Sequence, residues 1–243
     1  MRTHTKEFQR SLTPMQAFQI LKDGNHRFVS NLRLNRNLLQ QVNETSEEQY
    51  PFAIVLSCID SRTGAELIFD QGLGDIFSVR VAGNVLNEDI LGSMEFACEL
   101  AGSRLIVVLG HSRCGAVKGA CRHLQVGHLT GLLGKIGPAV WDVEQQHSGG
   151  RTAPDFVEEV ARQNTRHQMR AIVQRSPIWA NCSNMDVSAS SPACTPSNRA
   201  RWISSSSSSC HSRSPPPSPR LTRRVLAVVG GDRRPGCAAV VEA

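Results

Sequence analysis

No apolar run in this 243-residue chain approaches the roughly 20 residues that a bilayer span requires; Leu105 to Leu109 is typical of the longest. The N-terminus carries scattered charges where a secretory leader would have an apolar core. Membrane and secreted classes are therefore disfavoured, and a cytoplasmic protein is expected. Residues 179–243 contain no lysine; they hold 8 arginines and 3 acids, whereas residues 1–178 hold 19 basic and 18 acidic residues. The formal charge of +6 thus belongs almost wholly to the C-terminal segment, which lacks a stripe of interleaved aromatics. A nucleic-acid partner is not expected.

Cysteine is divided in the same way. Cys58, Cys98, Cys114 and Cys121 lie in the body, and Cys182, Cys194, Cys210 and Cys237 lie beyond it. Disulfide frameworks belong mainly to small secreted chains, so reduced thiols are the better reading, some of them metal ligands.

Thr13-Pro14-Met15-Gln16 is a helix start: a cap, a proline at the first helical position and a glutamine where a capping box needs one. The helix is expected through Ala17, Phe18, Leu21 and Phe28, with Gly24 as a weak point, and residues 30–50 as a polar arm. The unbroken apolar run 52–57 reads as a strand buried on both faces. Further strands are expected over 76–81 and 104–110, and helices over 88–101, 115–124 and 156–172, with 127–150 less regular. Strand and helix in alternation argue for an α/β fold, a mostly parallel sheet with flanking helices. From Trp179 the composition breaks. The last 65 residues include 14 serines, six of them consecutive, and the run Pro215-Pro216-Pro217-Ser218-Pro219. Only 225–229 is strand-like there. The division expected is a catalytic body over 1–178 and a low-complexity tail over 179–243 that cannot bury a core.

Two short segments at strand ends carry the chemistry, Cys58-Ile59-Asp60-Ser61-Arg62 and His111-Ser112-Arg113-Cys114-Gly115. Open α/β sheets form sites beyond the carboxyl ends of their strands. Cys58, His111 and Cys114 offer two thiolates and one imidazole to a tetrahedral ion, with one position left open, a set that suits catalytic zinc. Singly, each residue has a plainer reading: Cys58 as a small core residue, Asp60 and Arg62 as a surface ion pair. Their coincidence at equivalent strand ends favours the metal.

Cys-x-Asp-x-Arg about fifty residues before His-x-x-Cys-Gly, on this strand pattern, resembles the β-class carbonic anhydrases over residues 10–178. The resemblance implies reversible hydration of carbon dioxide to bicarbonate and a proton, with Cys58, His111 and Cys114 as zinc ligands. It implies that Asp60 either ligates zinc or turns away to pair with Arg62, the two acting together in catalysis. Gln49 would hydrogen-bond substrate, and Phe77 and Phe96 would line an apolar pocket, although position 96 is often Tyr in the family. A homodimer or higher homo-oligomer is implied, with the pocket between subunits. Some members carry an inhibitory bicarbonate site that includes a Trp where this chain has Val55; Arg80 occupies another of its positions, and no such switch is expected. His4, His26, His123, His128, His147 and His167 lack metal spacing and read as surface residues or proton carriers. Hydrolysis of COS or CS2 on the same scaffold, and an inactive zinc-holding remnant, are the alternatives.

The resembling family continues past residue 178 with a helix, a buried strand and an edge strand, none of which is visible here. Read one base earlier, serine codons of the TCN kind encode Phe, Leu, Ile or Val. In that frame Trp179-Ala180 and Met185-Asp186 each yield Gly, and Asn181-Cys182 yields Leu. A back-translation so shifted is consistent with the missing helix, strand and edge strand in order, so the tail reads as an out-of-frame continuation, its C-terminal strands missing or replaced. Inserting one base near codon 179 is expected to raise soluble yield, melting temperature and carbon dioxide hydration together. A present chain equal to the restored one in all three would make the tail a native feature.

Overall fold

The computed structural model describes residues 3–146, 150–179 and 225–226. In chain order the elements are α1 (Lys6–Ser11), α2 (Pro14–Val29), α3 (Leu38–Glu44), β1 (Ala53–Ser57), α4 (Ala65–Ile68), β2 (Ile76–Arg80), α5 (Glu88–Glu95), β3 (Leu105–His111), α6 (Gly115–Cys121), α7 (Gly127–Gly134), α8 (Gly137–Gln146), α9 (Phe156–Arg175) and β4 (Val225–Leu226). The sheet order is β2-β1-β3-β4. β1 runs parallel to β2, with Ala53 opposite Ile76, and parallel to β3, with Ala53 opposite Leu105.

β1 and β3 are buried along their whole length, which explains their continuous apolar sequence. Alternate residues feed two cores. Ala53, Val55, Leu105, Val107 and Leu109 face Leu12, Ala17 and Leu21 with Ile68 and Phe69. Ile54, Leu56, Ile106 and Val108 face α5 and the later turns of α9, where Met169 and Ile172 pack. A third cluster joins α6, α7, α8 and the first half of α9, and includes Cys58 and Cys114. The metal-type residues therefore sit where that cluster meets the sheet.

The capping box at Thr13 and Gln16 forms as expected. Gly24 is not a weak point. A Cβ there would stand 1.6 Å from the Phe69 carbonyl oxygen, and the adjacent Asn25 donates to the Ile68 carbonyl at 3.1 Å, so the glycine lets α2 press on the end of α4. The polar arm contains α3. Residues 127–146, within the stretch expected to be less regular, form α7 and α8; their glycines at 127, 131, 134 and 137 mask the periodicity, and Ala139, Val140 and Val143 supply α8's buried face. The helix expected over 88–101 is α5 followed by a wider turn over Phe96–Leu100, closed by the Ala101 N–H on the Phe96 carbonyl at 3.0 Å.

Trp179, just past the composition break, is fully buried with Met169 and Ile172. Within the expected strand 225–229, Val225 and Leu226 pair antiparallel with His111 and Gly110. Among the described residues no strand pairs with Leu105–Leu109 on that side. The rest of the tail, and with it the expected disorder and the frame reading, lies outside the described residues. Among those described, no helix is long and apolar enough to cross a membrane.

Asp70 ties the arm to the body. Its fully buried carboxylate accepts Arg27 Nε at 2.5 Å, Arg36 Nη1 at 2.6 Å and the Leu34 N–H at 3.3 Å. Burial opposes its ionisation, but the two guanidiniums and the amide prevail and hold the carboxyl below its ordinary value. Such a group stabilises the fold fully above its unfolded pKa of about 3.9, and the contribution is lost as pH falls below that value. Asp70→Asn, which tolerates the residue's φ of +44°, strands two cations and is expected to cost about 3 kcal/mol in a urea titration at neutral pH. The gap to the parent chain should narrow below about pH 4.

Candidate metal centre

β1 and β3 are neighbours, so their carboxyl ends deliver Cys58 and His111 side by side. Arg113 then takes a φ of +57°, its N–H anchored on Glu158 Oε1 at 2.8 Å, and the chain curls so that Cys114 enters α6 facing the same point. The ligand atoms of Cys58, His111 and Cys114 all lie within 4.8 Å of one another, and all three residues are buried. The two sulfurs are 3.9 Å apart. Two sulfurs each about 2.3 Å from one tetrahedral ion stand about 3.8 Å apart. His111 Nδ1 lies 3.0 Å from the Ser112 carbonyl, and Nε2 is buried with no hydrogen-bond partner. A buried nitrogen without a partner, facing two sulfurs at metal-spanning distance, fits zinc.

The electrostatics agree. Cys58 ionises far more readily than an ordinary thiol, first because Cys114 hydrogen-bonds to it and then, against the opposing effect of burial, because the neighbouring His111 ring and the Gly83 N–H favour a charged sulfur; Cys114 is raised in consequence. Burial has the opposite effect, as Cys98 shows, pushed up to about 12 chiefly by desolvation and further by the charge of Glu99. Burial also opposes the charged form of His111, yet the Cys58 sulfur and Asp60 raise it overall. All four body cysteines are free thiols.

Of the two dispositions expected for Asp60, the structure holds the one turned to Arg62. Oδ1 accepts Arg62 Nε at 2.9 Å and the Arg62 backbone N–H at 3.0 Å, and Oδ2 accepts Nη2 at 2.7 Å. Asp60 is outside the three-donor group, so it is not assembled as a metal ligand. The Arg62 guanidinium holds its carboxyl well below the usual carboxylate range. Arg80, unassigned by sequence reasoning beyond a weak regulatory correspondence, donates to the Cys58 carbonyl at 3.0 Å and the Asp60 carbonyl at 2.6 Å. It clamps the loop between them.

Phe77 and Phe96 meet edge to face, with ring centroids 6.4 Å apart, in a cleft of about 510 Å³ shared with Ile54 and Val79. Cys58, His111 and Cys114 do not line it. Gln49 is exposed and precedes β1, whereas Cys58 follows it, so a single chain does not bring the two together. Among the other histidines, His4 pairs with Asp75 at 3.3 Å and stacks on Phe8, and His167 pairs with Asp142 at 2.7 Å; His147 lies outside the described residues.

A family model described as carbonic anhydrase matches residues 53–189, more than half of the chain. Carbonic anhydrase 2 of Mycobacterium tuberculosis is 36% identical over 171 residues, covering 67% of this chain and 79% of that one. The chain belongs to the carbonic anhydrases, in their β class. Among family members, a carbonic anhydrase of Mycolicibacterium smegmatis is 45% identical over 117 residues, covering 48% of this chain and 57% of that protein. The solved structure of the β-carbonic anhydrase CcaA is 27% identical, covers 66% of this chain and 81% of that one, and superposes with a TM-score of 0.52. The family model ends inside the segment that the composition break assigned to the tail.

Zinc is expected at about one ion per chain, the stoichiometry of a single three-donor site. Atomic absorption after gel filtration should show it lost from Cys58→Ala, His111→Ala and Cys114→Ala. Full retention in Cys114→Ala would break the assignment.

Proposed function

We propose that the chain catalyses the reversible hydration of carbon dioxide to bicarbonate and a proton, with Cys58, His111 and Cys114 holding zinc. The observation that carries this reading is the buried three-donor group beside a carboxylate already engaged by an arginine. Zinc held there supplies Lewis acidity that brings the ionisation of water close to neutral pH. Asp60 is assigned as the hydrogen-bond acceptor that orients the attacking water toward the substrate carbon. For this it must be ionised and kept off the metal, and the three bonds from Arg62 serve both needs. Without them its carboxylate is free to join the donor set and close the open position.

Carbon dioxide is small and apolar and needs a dry slot more than a strong ligand. Phe77 and Phe96 are assigned to that slot, with Gln49 as a polar contact to substrate. Because Gln49 stands at the far end of β1 from Cys58, it would come from a second copy of the chain. A homodimer or a larger homo-oligomer accounts for this, and the exposed Leu32, Leu38, Leu39 and Val42 of the arm and α3 supply apolar surface for such contact. Solved tetrameric β-carbonic anhydrases of Sordaria macrospora share the fold, with a TM-score of 0.53. A reducing, cytoplasmic setting suits four body thiols left free.

Stopped-flow hydration on the species resolved by sedimentation tests the reading. Asp60→Asn should keep its zinc and lose about a hundred-fold in rate, because the amide lacks the carboxylate's accepting charge. Arg62→Ala should lose a comparable factor with zinc in place. Unchanged rates in both would reduce the pair to a surface ion pair, and a fully active monomer would remove Gln49 from the site.

A further inference from the structure

Helix α9 passes behind the metal centre and sends two buried amides toward the loop after β2. Asn164, 0% exposed, donates from Nδ2 to the Gly83 carbonyl at 2.9 Å. Gln168 donates from Nε2 to Asn164 Oδ1 at 3.0 Å, and its Oε1 accepts the Leu86 N–H at 2.9 Å. Together they hold both ends of the 83–86 segment. At the near end the Gly83 N–H donates to Cys58 Sγ at 3.3 Å.

That loop does not hold its shape unaided. Gly83 has a φ of +71° and Asn84 a φ of +43°, two consecutive left-handed residues, free for the glycine and unfavourable for the asparagine without support from its surroundings. Space is also restrictive: a Cβ on Gly83 would lie 2.8 Å from Ile136 Cδ1 and 3.2 Å from Ala116 Cβ. The carbonyl that Asn164 grips and the N–H that meets Cys58 belong to peptide planes sharing the Gly83 Cα. Fixing one restricts the other.

We infer that Asn164 and Gln168 are positioning residues for the metal centre, pinning the Gly83 carbonyl so that the Gly83 N–H is aimed at Cys58 Sγ and moderates that sulfur's donation to the metal. The inference rests on Cys58 being a ligand. A hydrogen bond to a thiolate withdraws electron density from it, which leaves the bound ion more electrophilic in a site where two sulfurs otherwise soften its charge. Sequence alone hides this relay, since Asn164 and Gln168 look like polar residues of an amphipathic helix.

Cobalt(II) in place of zinc, in the full chain, reports the sulfurs through a sulfur-to-metal charge-transfer band in the near ultraviolet. Cys58→Ala, which loses the ion, should lose the band with it. Asn164→Ala should move it to longer wavelength, since a sulfur without its N–H donor is more easily oxidised. Gln168→Leu should move it less, in the same direction, and carries the test if Asn164→Ala does not fold. Met169→Ala, which removes packing from the same helix on its sheet-facing side, should lower the melting temperature with the band in place. A parent band that stays put in both amide variants, or moves as far in Met169→Ala, overturns the inference and leaves the ligand assignment standing. A parent chain without the band removes the ligand assignment, and the inference with it.

Discussion

Two sulfurs 3.9 Å apart and an unpartnered imidazole nitrogen, all buried, are a costly arrangement in the absence of a cation. A thiolate out of water is unfavourable by several kcal/mol unless something neutralises it. The protein meets that cost through adjacent parallel strands, whose shared register delivers Cys58 and His111 to one point, and a left-handed turn at Arg113 that returns Cys114 to it. Folding and metal binding are therefore coupled: the same strand pairing that buries Val55 and Val107 sets the donor spacing.

Around that point the chain separates three duties. Cys58, His111 and Cys114 face the metal position. Arg62 faces Asp60 and keeps its carboxylate ionised and outside the donor set. Arg80 faces neither group's reactive atoms; it binds the Cys58 and Asp60 carbonyls and so fixes the loop on which both stand. An arginine gripping two carbonyls adds no charge to the site beyond its own field, yet it limits how far Asp60 can swing.

The strands and the ligand motifs were legible because both depend on local pattern. Continuous apolar runs mark strands buried on two faces, and Cys-x-Asp-x-Arg and His-x-x-Cys-Gly stand directly after two of them. What escaped were features set by space and tertiary contact. Gly24 resembled a helix defect and proved to be a contact with the Phe69 backbone. The glycines of 127–137 concealed α7 and α8. Gly83-Asn84 follows β2 as an ordinary turn dipeptide, and nothing in the local sequence reveals that its N–H ends on a sulfur 25 residues earlier. Gln49, Phe77 and Phe96 came from family resemblance, and one chain gathers only the two phenylalanines.

The composition breaks at Trp179, and that residue is part of the core. Trp179 is fully buried with residues of α9, so the first residue at the break still belongs to the core. Beyond it the sheet's need is specific: Leu105–Leu109 is apolar, buried on both faces and hydrogen-bonded on one side to β1. β4 reaches only Gly110 and His111, the two residues at the metal-bearing end of that strand. On the side away from β1, the other five have no strand partner among the described residues, and an unpaired apolar edge is where association with another chain begins.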